Sequence, residues 1–165
     1  MSYDSNRNYH DAAFPGHWLH TAPMEPYPGP SDTLNDTPEF RLEYLEKWWK
    51  FQDMSAHLVD PKLFMAGYEK GVRSQHFSTF TLNAMLACAV RLSKDEPVRK
   101  LGGIFAGRAK KQIVKELESP NMATIQGFCL LSDYECTNGS EHVGWIYVGM
   151  KRMLFLSTSY ALNNE

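Results

Sequence analysis

Apolar positions recur with a helical period from Glu39 onward. Leu42, Leu45 and Trp49 repeat at i, i+3 and i+7, while Arg41, Glu43, Glu46, Lys47 and Lys50 take the other side, which predicts an amphipathic first helix. Asp60 before Pro61 combines an N-cap side chain with a first-turn proline, and Gly71 follows Phe64 and Tyr68 as a stop, so a short second helix is expected there. The run from Phe77 to Leu92 is different. Leu82, Met85, Leu86, Ala89 and Val90 cover most of its circumference, with alanines that permit close approach. A helix apolar on nearly every side belongs in the interior.

Asp95, Glu96 and Pro97 restart the chain, and Val98, Leu101, Phe105, Ala109, Ile113 and Leu117 form a stripe opposite Arg99, Lys110, Lys111 and Lys115. This predicts a fourth, half-solvated helix. Ser119-Pro120 repeats the cap-then-proline signal for a fifth, in which Met122, Ile125, Phe128, Cys129, Leu131 and Tyr134 run to Asn138-Gly139, a left-handed stop. Ser140 caps a sixth, with Glu141 and His142 in its first turn and Trp145, Val148, Arg152 and Phe155 along one side. No alternating strand pattern of convincing length interrupts the series. The expected fold is all-α, an array of about six helices packed as antiparallel hairpins through short connections.

Residues 1 to 38 break the pattern. Pro15, Pro23, Pro26, Pro28, Pro30 and Pro38 stand among Ser, Asn, Asp and Gly, a composition that cannot repay its ordering entropy. They are read as a disordered arm before a helical domain spanning 39–165. His17 and His20 form an HxxH in this arm, but a metal site needs more ligands on a rigid frame. Trp18 and Tyr27 are single aromatics, which are common on surfaces.

A length of 165 residues suits one domain plus a tail, and a net charge of −2 provides no basic face for a nucleic-acid duplex. Cys88, Cys129 and Cys136 are the only cysteines, an odd number without a CxxC pair, which fits a reducing, intracellular setting better than a disulfide framework or a closed zinc site. The N-terminus lacks a basic and apolar leader, and no stretch approaches the roughly 18 apolar residues of a spanning helix. The chain reads as soluble, with no membrane partner.

Gly102 to Ala109 imitates a phosphate-binding GxxxxGK[ST], yet Arg108 replaces the lysine, Ala109 cannot ligate magnesium, and a helix precedes it in place of a strand. Glycines that admit a neighbouring helix explain it better. Arg108, Lys110, Lys111 and Lys115 make the one basic cluster, diluted by Glu116 and Glu118 and free of interleaved aromatics, so a solvated surface is expected.

The stretch from Asn121 to Met150 concentrates Asp133, Glu135, Cys129, Cys136 and His142. Asp133 and Glu135 are two apart and project about 200° from one another on a helix, so they do not share a site. Cys129 and Cys136 share a face with Met122 and Ile125 and read as small buried hydrophobes. Only a fold bringing His142 against Cys136 across Asn138-Gly139 would create an activated thiolate. A joint between two packed helices accounts for more of these residues: Ser119-Pro120 starts, Gly127 permits tight contact, Asn138-Gly139 stops, and Trp145, Tyr147 and Met150 begin the partner. No catalytic, cofactor-binding or metal-binding residue is assigned.

The order of the motifs is also familiar. TLNAMLACAVRLS (81 to 93), GRAKKQIVKELESPNMATIQGFCLLSDYECTNGS (107 to 140) and GWIYVGMKRM (144 to 153) resemble the fungal-specific transcription factor domain, also called the middle homology or xylanolytic-activator regulatory region. FMAGYEKG (64 to 71) looks like an upstream piece of the same pattern. The resemblance implies a nuclear, all-α regulatory region of a zinc-cluster transcription factor, in which DNA is read by a separate module whose six cysteines hold two zinc ions. The spacing for such a module is absent here, so no cofactor is expected in this chain, and a fragment or shortened paralogue is implied. Family members continue after the segment matching Met150 to Met153 with further helices, so exposed apolar surface and self-association are expected.

The sequence thus points to a non-catalytic regulatory domain whose partners are proteins of the transcription machinery or a regulatory partner, with an inducer as a further ligand class. The alternatives are a generic helical interaction scaffold, which lacks support from any 34-residue self-similarity, and a small-molecule sensor lined by Met85, Phe105, Phe128, Trp145 and Met150.

Overall fold

A computed structural model describes residues 36–52 and 58–162, with side chains described to residue 157. Of the arm read over residues 1–38, residues 1–35, with His17, Trp18, His20 and Tyr27, lie outside the described residues, whereas Asp36, Thr37 and Pro38 are described, Pro38 as the first residue of the first helix. Among the described residues are six α-helices and no strand: α1 (Pro38–Gln52), α2 (Pro61–Lys70), α3 (Thr79–Ala89), α4 (Glu96–Glu118), α5 (Met122–Thr137) and α6 (Glu141–Leu162).

Local signals set several boundaries. At α1, Phe40 N–H donates to Thr37 Oγ1 at 3.2 Å, and Pro38 occupies the first turn, where its missing N–H costs nothing. The Asp60 carboxylate accepts from Leu63 N–H at 3.0 Å, and Gly71 ends α2 with φ of 62°, as the sequence predicts. Ser78 caps α3, accepting from Thr81 N–H at 3.1 Å. The α-helix ends at Ala89 and tightens into a 3-10 turn over Val90–Leu92, where a single helix to Leu92 was expected.

Helix α5 begins differently from its sequence signal. Asn121 is the N-cap, and a reciprocal capping box joins it to Thr124: the Asn121 side chain accepts from Thr124 N–H at 3.1 Å, and Thr124 Oγ1 accepts from Asn121 N–H at 3.1 Å. Ser119 instead closes α4.

α3 is the centre of the array. Every residue from Phe80 to Val90 is buried, because α1, α4 and α5 all pack on it. Gly127 of α5 lies so close to α3 that a Cβ there would run into the Phe80 ring, and the Phe80 and Phe128 rings meet edge to face at 5.2 Å. A second aromatic chain runs from Trp49 through Phe64 to Phe77, with centroids 5.8 and 5.2 Å apart, and anchors α2. α5 and α6 form a hairpin across Asn138-Gly139, with Gly139 at φ of 81°.

Two helices are rotated relative to the expected stripes. In α4 the buried face shifts to Ala109, Gln112 and Glu116, leaving Leu117 exposed, because both polar side chains find partners inside: Thr79 Oγ1 donates to Gln112 at 2.6 Å, and Arg73 reaches Glu116 at 3.0 Å. In α6 the inner face is Gly144 and Tyr147, with Val143, Met150 and Leu154 partly buried, while Trp145 points outward. Gly144 sets that rotation. Its Cα faces Cys136 Sγ and the Ser132 carbonyl, leaving no space for a Cβ, and Ser132 Oγ donates to the Gly144 carbonyl at 3.0 Å.

Candidate functional site

The hairpin formed by α5 and α6 carries the residues that the sequence singles out, and it disperses them. Asp133 is exposed, whereas Glu135 is buried on the other side of α5 and holds Lys110 Nζ of α4 at 2.6 Å. That bond outweighs the partial burial of Lys110 and raises the ammonium pKa. Tyr147 of α6 lies near the same pair, and burial pushes its phenol up.

Two of the thiols, Cys88 and Cys129, are held in the neutral form by burial. Cys88 is buried in α3, its Sγ donating to the Leu130 carbonyl at 3.3 Å, and burial, then the negative Asp133 nearby, push its pKa up to about 12. Burial also raises Cys129, against the opposing effect of Lys151. Both Cys129 and Cys136 are half-buried, where full burial was expected, and Met122 is exposed. Cys136 packs against Gly144, while His142 is exposed in the first turn of α6. No group of three or more His, Cys, Asp or Glu side chains placed to hold a metal occurs among the described residues.

Two ionic clusters escape a reading based on periodicity. Arg73, in the loop after α2, donates to Glu116 Oε2 at 3.0 Å, to the Ser119 carbonyl and to Thr124 Oγ1, while Thr124 itself donates to Glu116 at 2.8 Å. The same loop is stitched to the start of α5 by Asn121 Nδ2 to the Ser74 carbonyl at 2.9 Å and Ala123 N–H to the Gln75 carbonyl at 2.9 Å. The clue in the sequence was a glutamate standing next to the apolar stripe of α4.

The second cluster joins Asp36 to Arg41 of α1 and Arg108 of α4. Burial by itself would raise the Asp36 pKa, but the hydrogen bonds from the two guanidiniums prevail and hold it below the usual carboxylate range. The expectation that Arg108 belongs to a solvated basic surface is therefore corrected: its side chain is 12% exposed and lies over the Phe105 ring. Lys110 is occupied by Glu135, which leaves Lys111 and Lys115 as the exposed remainder of that cluster.

The glycine-rich stretch lies wholly inside α4, with no strand before it. Gly102 admits Tyr134 and the Ala87 carbonyl, as a close-approach residue should, whereas the position of Gly107 is open. The proposed sensor lining does not converge. Met85, Phe105 and Phe128 are core residues, and Trp145 is 69% exposed on the outer face of α6. No described helix is long and apolar enough to cross a membrane.

The outer face of α6 carries several exposed large apolar side chains. Ile146 and Met153 are 58% and 74% exposed and, with Trp145 and Leu156, lie on one side of the helix around Gly149. A contiguous exposed apolar face of this kind marks a place where macromolecules meet.

Comparison with known proteins gives this surface a context. The chain is 35% identical over 133 residues, 74% of its length, to the nitrogen assimilation transcription factor nirA of Emericella nidulans. It is 34% identical over 82 residues, 44% of its length, to the nitrogen assimilation transcription factor nit-4 of Neurospora crassa. An uncharacterized transcriptional regulatory protein of Schizosaccharomyces pombe matches at 28% over 88 residues, 53% of the chain. Its relatives are fungal transcription factors. The matches cover 15%, 8% and 14% of those proteins. No family model matches the chain, and no solved structure matches it.

Proposed function

We propose that this chain is a non-catalytic regulatory domain of a fungal zinc-cluster-type transcription factor, acting in the nucleus through contacts with protein partners or an effector. The observation that carries the reading is the 133-residue similarity to nirA, supported by two further regulators from other fungi. The chemistry of the helices agrees with it. The carboxylates and thiols of the α5 and α6 hairpin serve packing and ion pairing, and the outer face of α6 supplies a surface for macromolecular contact. In this reading DNA contact falls to a separate zinc-cluster module, and Arg108 and Lys110 of the basic stretch of α4 are already paired with Asp36 and Glu135.

Two of the three relatives are named for nitrogen assimilation, which makes nitrogen source the condition to vary first. The test is a fluorescent fusion expressed in a filamentous fungus, with transcript profiling on two nitrogen sources. Nuclear accumulation with a shifted transcript profile is expected. Exclusion from the nucleus with an unchanged profile would favour a helical scaffold without a transcriptional role.

A further inference from the structure

α6 carries a feature that packing among the described residues does not explain. Gly149 sits in the middle of a long helix, on the outer face, with open space where its Cβ would be. A glycine there weakens the helix, and among the described residues neither a positive φ nor a packed neighbour requires it. It forms a hole in the apolar face, bordered by Ile146 and Met153. One turn before it stands Trp145, the largest exposed apolar side chain on that face.

A knob and a hole one helical turn apart on one surface are complementary to the same surface turned around. In an antiparallel pair related by a twofold axis near Tyr147, Trp145 of each helix lies opposite Gly149 of the other. The same axis sets Glu141, in the first turn, opposite the Arg152 and Met153 pair, so opposite charges meet at both ends of the contact. A parallel arrangement sets Glu141 against Glu141 and Arg152 against Arg152. Trp145, Ile146, Met153 and Leu156 are each more than half exposed. Under this axis Trp145, Ile146 and Met153 of each copy lie within the overlap, while Leu156 falls beyond the start of the partner helix; at on the order of 100 Å² apiece the three remove about 600 Å² from water over two copies before any rim residue is added, the size of a weak, transient contact.

We propose that the chain pairs with a second copy of itself through the outer face of α6, antiparallel, with Trp145 seated on Gly149 of the partner copy. The inference does not depend on the transcriptional reading. A contact this small forms a weak dimer, populated only at high chain concentration.

The test is sedimentation velocity of the 165-residue chain from about 1 to 200 μM, a range whose upper end populates a weak dimer. A reversible monomer–dimer equilibrium is expected. Trp145→Ala should weaken it roughly tenfold or more. Gly149→Leu should do the same while leaving the circular-dichroism melt unchanged or higher, which separates a blocked hole from a misfolded chain. Glu141→Arg alone should weaken the dimer, and Glu141→Arg with Arg152→Glu should restore it. A chain that stays monomeric throughout, because another protein or another segment covers this face, overturns the proposal. So does a dimer indifferent to Trp145→Ala and Gly149→Leu, or a charge swap without rescue.

Discussion

Arg73 and Glu116 are 43 positions apart and meet at 3.0 Å, where Thr124 donates to the same carboxylate oxygen. This junction ties the loop after α2 to the end of α4 and the start of α5. Glu116 is buried, so its partners replace the water it loses. Glu116→Ala should cost about 1–3 kcal/mol, since Arg73 and Thr124 lose their shared acceptor. Arg73 is itself a third exposed and retains the Ser119 carbonyl, which keeps the cost below that of a fully buried pair. Urea unfolding monitored by circular dichroism measures it, and a change under about 0.3 kcal/mol, within the usual scatter of surface substitutions, would show the junction to be incidental.

Asp36 predicts a pH dependence. Its folded-state pKa is lowered, so the folded chain holds fewer protons on this group than the unfolded chain as the carboxylate titrates. The stabilisation is present above the unfolded aspartate value of about 3.9 and disappears as pH falls through the lower folded value. Asp36→Asn should therefore be less stable than the parent at pH 7, and the two denaturation midpoints should converge towards pH 2. A difference that stays constant from pH 7 to pH 2 would mean that the Asp36 charge is not involved.

Two glycines should respond to the same substitution with opposite signs. At Gly127 a methyl group meets the Phe80 ring, and the ring is wedged against Phe128, so Gly127→Ala should destabilise by about 1–3 kcal/mol through overpacking. At Gly107 the space is open, and Gly107→Ala should stabilise by up to about 1 kcal/mol through helix propensity. Thermal melts of the two variants beside the parent decide it.

Cys88 should resist thiol reagents in the native chain. Its pKa is raised to about 12 by burial and by Asp133, leaving almost no thiolate at neutral pH. Because the folded value lies above the unfolded one, its contribution to stability is complete below about pH 8.5, the unfolded cysteine value, and is lost as pH rises towards the folded value. Labelling in native buffer followed by peptide mass spectrometry should show Cys88 modified only after denaturant is added. Labelling at the rate of an unfolded thiol would contradict its place in the core.

Where the sequence was legible, the determinants were local. The Asp60-Pro61 cap, the Gly71 stop, the left-handed Gly139 and the all-round burial of α3 depend on residues within a few positions of each other. The rotations of α4 and α6 were not legible, because distant partners decide them: Glu116 turns inward to meet Arg73, and Gly144 admits Cys136. Arg108 read as solvated because Asp36, which neutralises it, comes 72 positions earlier. The dispersal of Asp133 and Glu135 followed from helical spacing alone, whereas the partner of Glu135, Lys110, lies on another helix.

The transcriptional role is tested most directly by tethering the chain, fused to an unrelated DNA-binding module, upstream of a reporter gene in a filamentous fungus. Reporter output should change relative to the module alone, and Gly127→Ala, which disturbs the packing of α5 on α3, should reduce the change. Output identical to that of the module alone on every nitrogen source, from a fusion shown to be folded and nuclear, would contradict the role proposed for this helical domain.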